Sequence, residues 1–430
     1  MITELPPVPD PRVGACPQCA TATVSRDDAE PWCPRCEWNL NRYEPRRRGP
    51  ELGWTWIDRR LHALAYRLAR GQFEVLAQRS LDRPRHSPAR IVVTVVSALL
   101  LAGVVALAAT GVRLVLTYPL FSLAPVLGVA MVGLALELRP RFGRLDPNAE
   151  VLTRETAPTL FTLVERVAAA TGTPVPQLVA VDHQFNAYTT AVGLRRRRVL
   201  CLGLPLWGAL DPGQRVALLG HELGHFRNGD VRRGLLTQPA FTMLGVTADL
   251  VRPVHSLGSS DVASLVGRWL AGAVQWVVSR LLFAAHLALV WVGHRDSQRA
   301  EYLADELAAR AAGSADATSL LDTLLSANVV EMVVRREARA EHGPAYWRTA
   351  VAEARTAART DLTTRRQLSV RDEVSLFAAH PPTGLRARMT ETRPWQPPAV
   401  TLTPAELDRM DAELAREYER ARRDIAWWSR

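Results

Sequence analysis

Lysine is absent from this sequence of 430 residues, and cysteine is scarce, with five residues. The 53 basic side chains are therefore all arginines, and they exceed the 43 acidic ones to give a net charge of +10. A basic excess of this kind favours nucleic acid or anionic lipid as a partner. Because the arginines flank uncharged apolar runs, the pattern favours a lipid bilayer.

A secretory signal is not recognisable in the first residues. Residues 1–11 are acidic and rich in proline, and they lack the basic start and apolar stretch that such a signal needs. We therefore expect a cytoplasmic N-terminus in a protein of the cell membrane.

Two uncharged runs, residues 91–112 and 114–136, are each long enough to cross a bilayer core of about 30 Å. By the positive-inside rule, the arginines that flank the pair place both flanks in the cytoplasm. The sequence thus predicts a transmembrane hairpin. The flanking arginines are Arg83, Arg85, Arg90, Arg139, Arg141 and Arg144.

A second apolar pair, residues 234–251 and 270–293, is interrupted by polar side chains. Such side chains are costly in a membrane unless they face protein or water. We expect this pair to be embedded in the membrane, and the alternative is that its polar side chains line an internal chamber of the protein. Residues 54–81 predict an arginine-rich amphipathic helix, which either lies on the membrane surface or packs on the domain.

The sequence from Asp211 to Gln214 predicts the start of a helix that continues to about residue 228. On this helix His221 and His225 share one face, so both imidazoles can bind one Zn²⁺. Glu222 lies between them and is predicted to be the general base. A bare HExxH motif also occurs by chance, so its context has to support it.

A catalytic zinc needs a third protein ligand and an open position. Glu301 and Asp305 lie four residues apart on another predicted helix. We assign Glu301 to the metal and Asp305 to the orientation of a ligand imidazole. The alternative is an ordinary solvated helix face.

With these residues in place, the chain resembles the HtpX-type membrane metallopeptidases, relatives of the CAAX prenyl endopeptidases within the gluzincin class. The resemblance covers about residues 91–389. It implies a zinc-dependent endopeptidase that acts on polypeptides, such as membrane or misfolded proteins, at the cytoplasmic face. The matching segments are Asn186-Ala187-Tyr188, His221-Glu222-Leu223-Gly224-His225 with Asn228 and Asp230, Glu301-Tyr302-Leu303-Ala304-Asp305, and His380-Pro381-Pro382.

The resemblance also implies roles for residues around the metal. Three β-prone runs, residues 177–182, 187–192 and 199–202, predict a small sheet. The resemblance makes the middle run an edge strand that holds substrate by β-augmentation, with Asn186, Ala187 and Tyr188 as substrate-binding residues. Either His380 or Arg386 could stabilise the oxyanion, and the alternative is that the His-Pro-Pro turn only packs the C-terminal helix.

Four of the five cysteines form two Cys-Pro-x-Cys pairs near the N-terminus, a pattern typical of a zinc ribbon. Cys16, Cys19, Cys33 and Cys36 are predicted to hold a second, structural Zn²⁺. Basic and aromatic residues are not interleaved between the two pairs. We therefore expect the ribbon to bind a protein partner rather than nucleic acid. The ribbon, residues 327–376 and the C-terminal extension depart from the family pattern.

Together these features predict a mainly α, multi-pass membrane protein that combines a gluzincin-type catalytic domain, a small β-sheet and an N-terminal zinc ribbon. One alternative is a catalytically idle zinc-binding membrane scaffold, and another is a nucleic-acid-binding regulator. The predicted domains are the ribbon (1–45), a linker with a juxtamembrane helix (46–90), a transmembrane hairpin (91–138), the metallopeptidase domain (139–395) and a C-terminal amphipathic helix (396–430).

Overall fold

The structure is a computed structural model that describes residues 14–79, 81, 88–119, 121–140, 143–193, 195–228, 243–248 and 262–427. Most of the predicted apolar run 234–251 lies outside these residues, as does Asp230.

The described chain is mainly helical and contains one small mixed sheet. The helices are α1 (Thr55–Ala77), α2 (Pro88–Thr117), α3 (Leu123–Glu137), α4 (Pro158–Thr171), α5 (Leu204–Ala209), α6 (Pro212–Asn228), α7 (Val262–Ala312), α8 (Ser314–Leu325), α9 (Ala327–Arg339), α10 (Pro344–Ala357), α11 (Leu362–Asp372), α12 (Thr383–Thr392), α13 (Pro404–Glu413) and α14 (Ala415–Trp427). The strands are β1 (Glu150–Leu152), β2 (Leu178–Asp182), β3 (Ala187–Val192) and β4 (Arg197–Gly203).

The first apolar pair forms a helical hairpin, α2 with α3, as the sequence predicts. The two predicted runs are separated by Arg113, but this residue lies inside α2, which continues to Thr117, and α3 begins only at Leu123. Within the described residues, two helical segments are long and apolar enough to cross a membrane, Ile91–Thr117 and Gly272–Ala312, and α3 is a shorter apolar helix.

The second of these segments belongs to α7, a continuous helix of 51 residues. At about 1.5 Å per residue this helix is about 77 Å long, more than twice the thickness of a bilayer core. The predicted apolar run 270–293 and the Glu301–Asp305 motif are therefore parts of one helix. A single rigid element joins the apolar segment to the two carboxylates.

The sheet has the strand order β1-β2-β4-β3. Strands β2 and β4 are parallel, whereas β1 pairs with β2 and β3 pairs with β4 in antiparallel fashion. Strand β1 was not predicted, because three residues are too few to show an alternating pattern. Strand β3 lies at the edge, as predicted, and contacts α6.

The largest hydrophobic cluster among the described residues joins the sheet to α4, α6, α7 and the C-terminal segment. Leu407, Met410, Leu414 and Tyr418 are buried in this cluster. The predicted capping box at Thr403 is present, but the single predicted C-terminal helix is split into α13 and α14. This segment therefore contributes to the main hydrophobic core.

Helix α1 packs on the domain, one of the two expected arrangements. Its residues Ala65 and Ala69 lie against Val370 and Leu385 in a small apolar cluster. On the opposite side of the helix, Trp56 remains exposed beneath the guanidinium of Arg60.

Candidate active site

Side-chain hydrogen bonds stabilise both ends of helix α6. The backbone N–H of Asp211 donates to Oε1 of Gln214 at 3.1 Å, which supplies the reciprocal half of a capping box at the predicted start. At the other end, Nδ2 of Asn228 donates to the carbonyl of Ala300 on α7 at 3.2 Å. Both ends of the motif helix are thereby fixed, and one of them is fixed directly to the helix that carries Glu301.

Between these ends, two glycines let α6 approach α7 at backbone distance. A Cβ placed on Gly220 would lie 2.9 Å from Cα of Ala308, and one on Gly224 would lie 3.0 Å from Cα of Ala304. The small residues on the two helices face one another, so the helices meet without side chains between them. This close packing brings the HExxH face to the Glu301 carboxylate.

The three predicted metal ligands meet at one point. Nε2 of His221 lies 3.3 Å from Nε2 of His225 and 3.6 Å from Oε2 of Glu301. The third edge, from Nε2 of His225 to Oε1 of Glu301, measures 3.7 Å. In a tetrahedral site with bonds of about 2.1 Å, adjacent ligand atoms lie about 3.4 Å apart. The spacing of the donor atoms therefore fits a zinc ion, and these residues could hold one.

His221 is oriented from behind by a carboxylate. Its Nδ1 donates to Oδ1 of Asp305 at 3.0 Å, so Nε2 is left to face the metal position. Arg386 in turn holds Asp305 through two hydrogen bonds, Nε to Oδ2 at 2.8 Å and Nη2 to Oδ1 at 2.7 Å. All three side chains are buried.

Arg386, one of the two residues expected to stabilise an oxyanion, is bound to a carboxylate in the structure. Its Nε–Nη2 edge binds Asp305, Nη2 also lies 3.6 Å from Oε2 of Glu301, and the side chain is buried. The fork of a guanidinium matches a carboxylate, which explains this preference. The geometry favours a positioning role for Arg386.

His380 occupies a more open position. Its side chain is 64% exposed, and Nδ1 lies 2.9 Å from Oε2 of Glu301. The two prolines that follow, Pro381 and Pro382, are buried and lead into α12. Both expected roles of the His-Pro-Pro turn are therefore compatible with the structure, because the prolines pack while the imidazole remains accessible.

Burial sets the protonation of two motif side chains. Burial raises the pKa of Glu222 to about 7, a value suited to a group that takes and returns a proton near neutral pH. Burial, followed by the charge of His221, lowers the pKa of His225 to about 4. His225 is therefore neutral at pH 7, the form in which an imidazole binds a metal.

The predicted substrate-binding residues begin strand β3 at the sheet edge. Asn186 is exposed, and its Oδ1 accepts a hydrogen bond from the N–H of Ala187 at 2.8 Å. The carbonyl of Asn186 accepts from the N–H of Gly203 at 2.8 Å, and Tyr188 pairs with Cys201 on β4. One edge of β3 is thus used by β4, while the strand lies beside the motif helix α6.

A second cluster of metal-binding side chains lies near the N-terminus, as predicted. The sulfurs of Cys16, Cys19, Cys33 and Cys36 lie within 4.8 Å of one another, and the closest pairs are 3.4 to 3.6 Å apart. Four thiolates around zinc would be about 3.8 Å apart, for bonds of about 2.3 Å. The cluster is compatible with a zinc ribbon.

Comparison with known proteins agrees with this site. The family model described as Peptidase family M48 matches residues 154–393, which include the HExxH motif, Glu301, Asp305, His380 and Arg386. The chain belongs to this family. The match leaves the cysteine cluster and the C-terminal helices outside its bounds.

Curated relatives in the M48 family carry the name HtpX. Protease HtpX of Xanthomonas oryzae pv. oryzae (strain MAFF 311018) is 28% identical over 239 residues, which is 54% of this chain and 79% of that protein. The Protease HtpX homolog of Gemmatimonas aurantiaca is 28% identical over 146 residues, 31% of this chain and 51% of that protein. No solved structure is significantly similar to the chain. The resemblance to HtpX-type membrane metallopeptidases is confirmed, and the chain is a membrane-bound metallopeptidase.

Sequence reasoning missed the role of the motif glycines in this M48 site. Gly220 and Gly224 are spaced like Ala304 and Ala308, so each helix presents two small residues one turn apart. This matched spacing is visible in the sequence, and it indicates two helices in close contact.

Proposed function

We propose that this chain is a zinc-dependent endopeptidase whose catalytic metal is held by His221, His225 and Glu301. The observation that carries the proposal is the set of short distances, 3.3, 3.6 and 3.7 Å, between the two imidazole nitrogens and from these nitrogens to the carboxylate oxygens of Glu301. Three protein ligands leave a fourth position open, as catalytic zinc sites require. When bound, zinc supplies Lewis acidity, which lowers the pKa of water and polarises a carbonyl group.

Glu222 is the proposed general base. Its carboxylate is buried beside the metal ligands, with a pKa raised by burial to about 7. It takes a proton from the attacking water and returns that proton to the amine that leaves when the peptide bond breaks. The alternative is that Glu222 is a buried carboxylate with a purely structural role. In that case peptide hydrolysis would have no general base.

His380 and Arg386 take different proposed roles. His380 is exposed beside Glu301 and is placed to stabilise the negative charge that develops on the substrate carbonyl oxygen. Arg386 acts indirectly: it fixes Asp305, which fixes the tautomer and the orientation of His221. Only the first of these two residues would touch the substrate.

Strand β3 is the proposed substrate platform. It is an edge strand of the sheet and contacts the motif helix α6. An extended peptide that pairs with the strand is held mainly by backbone hydrogen bonds, so binding tolerates many sequences. Asn186, Ala187 and Tyr188 would contact this peptide, and the substrate class is unfolded or membrane-derived polypeptides.

The arginines that flank the apolar helices support a multi-pass topology with the catalytic domain in the cytoplasm. We propose the predicted domain boundaries for the ribbon (1–45), the helix that precedes the hairpin (46–90), the hairpin (91–138) and the metallopeptidase domain (139–395). Residues 396–430 complete the catalytic core through α13 and α14. The ribbon holds a second, structural zinc.

The decisive experiment compares wild type, Glu222→Gln and Glu331→Gln, each purified as the full chain in detergent. Wild type is expected to cleave casein at internal bonds, which mass spectrometry of the fragments identifies. Glu222→Gln is expected to lose cleavage while it keeps both zinc ions, because Glu222 is not a ligand. Glu331 lies on α9 in a partly exposed ion pair, so its variant controls for the loss of a carboxylate.

Removal of zinc by a chelator is expected to abolish casein cleavage, and added Zn²⁺ is expected to restore it. Wild type that binds two zinc ions but cleaves no peptide bond in detergent or in bilayers would contradict the proposal. That result would favour the catalytically idle scaffold. A strain that carries Glu222→Gln would accumulate the natural substrates, and proteomics of its membranes would identify them.

A further inference from the structure

The ribbon (residues 14–45) is docked on helix α11 through one buried arginine. Arg371 is 1% exposed, and its guanidinium donates to the carbonyls of Glu30, Asn39 and Leu40 at 2.8, 2.9 and 3.3 Å. It also pairs with the carboxylate of Glu44 at 2.5 Å. A buried charge is costly unless its partners are all in place. The folded ribbon therefore provides the environment that Arg371 requires.

The docking surface includes the second cysteine pair itself. Nε2 of Gln367 on α11 donates to the carbonyl of Pro34 at 2.8 Å, and Pro34 lies between Cys33 and Cys36. Nε1 of Trp32 donates back to Oε1 of Gln367 at 2.9 Å. Trp32 has no exposed surface. The face of the ribbon that carries Trp32 and the carbonyl of Pro34 is thus covered by this chain's own catalytic domain.

The shape of this face depends on the metal. Glu37 and Asn39, which follow Cys36, have φ angles of 58° and 65°, so the carbonyl of Asn39 is presented by a left-handed backbone. A module of about 30 residues has too little core to hold such a backbone without a metal or disulfides. Zinc at the four cysteines would therefore hold the carbonyls that Arg371 needs.

Helix α11 contacts α12 at backbone distance. A Cβ on Gly384 would lie 1.9 Å from the carbonyl oxygen of Arg366, so only glycine fits at this contact. The N–H of Gly384 donates to Oγ of Ser369 at 2.8 Å, and Val370 packs with Leu385. The start of α12 therefore follows the position of α11.

Helix α12 carries Arg386, two residues after Gly384. Arg386 holds Asp305, and Asp305 holds His221. The ribbon also reaches α12 directly, because Nη1 of Arg388 pairs with Glu37 at 2.9 Å. An unbroken series of contacts thus leads from the second cysteine pair to a metal ligand of the active site.

We propose that the zinc-loaded ribbon braces α11 and α12 and so positions Arg386 at the catalytic centre, with Arg371 as the positioning residue at the docking surface. The proposal rests on the peptidase function proposed above and assigns a regulation to it: loss of the ribbon's zinc lowers turnover. Its partner is the catalytic domain of the same chain.

The test measures hydrogen exchange and kinetics of the full chain in detergent for Arg371→Met, Cys33→Ser and the double variant. Exchange of residues 383–392 is measured in the Glu222→Gln background, so this readout does not depend on activity. We expect it to accelerate at least about fivefold in each variant, with α4 unchanged. In the catalytically competent background, we expect kcat to fall by a similar factor while KM changes less than about twofold.

Three further outcomes sharpen the test. Cys33→Ser is expected to bind one zinc per chain and Arg371→Met two, and the double variant should be no more affected than either single variant. The matched control, Arg335→Met, removes a partly exposed arginine that pairs with Glu331 on α9 and should behave as wild type. If wild type cleaves no peptide, the proposed peptidase function is wrong. The exchange measurement still tests whether the ribbon stabilises α12.

A chain that has lost the ribbon's zinc could still show the wild-type exchange rate at residues 383–392 and the wild-type kcat. That result would overturn the proposal that the ribbon braces α11 and α12. Equal acceleration of exchange in α4 would also overturn it, because that result means general destabilisation rather than a path to α12. Arg371→Met keeps the cysteines intact, so the test stands even where Cys33→Ser fails to fold.

Discussion

Gly220 of α6 and Ala308 of α7 lie at backbone contact, since a Cβ on Gly220 would come within 2.9 Å of Cα of Ala308. The contact decides where the candidate metal ligands meet, because His221 follows Gly220 directly while Glu301 lies two helical turns before Ala308. The distance between the two helix axes therefore sets the distance between imidazole and carboxylate. The geometry of the active site therefore depends on these small residues as well as on the side chains that could bind the metal.

The first prediction concerns this contact. Gly220→Val should force α6 away from α7, separate the ligands and lower peptidase activity at least about 100-fold. Zinc analysis should find one ion per chain, in the ribbon. The control is Gly71→Ala, where a Cβ meets nothing within 4 Å and where the helix should gain about 1 kcal/mol of stability. Full zinc content in Gly220→Val would refute the packing argument.

The second prediction concerns Asp305→Asn. The amide can still accept a hydrogen bond from His221, but it removes the carboxylate charge that binds the buried Arg386 through two hydrogen bonds. We expect the affinity for the catalytic zinc to fall about 10- to 100-fold, as is usual when a residue that orients a ligand is changed. Competition with a fluorescent chelator measures the affinity. Asp408→Asn, an exposed site on α13, is the control, and equal affinities in the two variants would disprove the role.

The third prediction separates His380 from the metal ligands. His380→Gln should lower kcat about 10- to 1000-fold, because it removes the imidazole that is proposed to stabilise the developing charge on the substrate carbonyl. Zinc affinity should remain near the wild-type value, since the site keeps its three donors. His342→Gln on the surface provides the control. A parallel loss of zinc would instead assign His380 a structural role.

The fourth prediction concerns the pH dependence of stability through His62 on α1. This side chain is 3% exposed, and its Nδ1 accepts a hydrogen bond from Nη1 of Arg48 at 2.7 Å, because a guanidinium can only donate. Burial, and then the charges of Arg48 and Arg371, lower the pKa of His62 to about 4. The imidazole is therefore neutral in the folded protein, and a proton on Nδ1 would remove the acceptor that Arg48 uses.

Between pH 6.5 and 4 the unfolded chain binds a proton at His62 that the folded chain does not, so stability falls as the pH falls. From pH 7 to pH 5 the loss is about 2 kcal/mol for a reference pKa of about 6.5. His62→Gln keeps an acceptor for Arg48 but does not titrate. Thermal unfolding should therefore show a larger acid shift in wild type than in this variant, and equal shifts would contradict the assignment.

The motifs were enough to predict that His221, His225 and Glu301 lie together. His221 and His225 are one helical turn apart, so their shared face follows from helix geometry alone. The sequence also predicted the helix caps at Asp211 and Thr403 and the apolar runs. Capping and the length of an apolar run are local properties of the chain. Strand β1, the split of the C-terminal helix and the continuity of α7 were not predicted, because each is decided by partners distant in the sequence.

The sequence by itself determined the chemistry: which side chains can bind zinc, which carboxylate lies between them, and which segments are apolar enough to enter a membrane. Only the tertiary structure decided that Arg386 binds Asp305 and that the ribbon lies on α11. The reason is physical. Ligand type and helical spacing are properties of neighbouring residues, whereas the partner of a buried arginine depends on how elements far apart in the chain pack together.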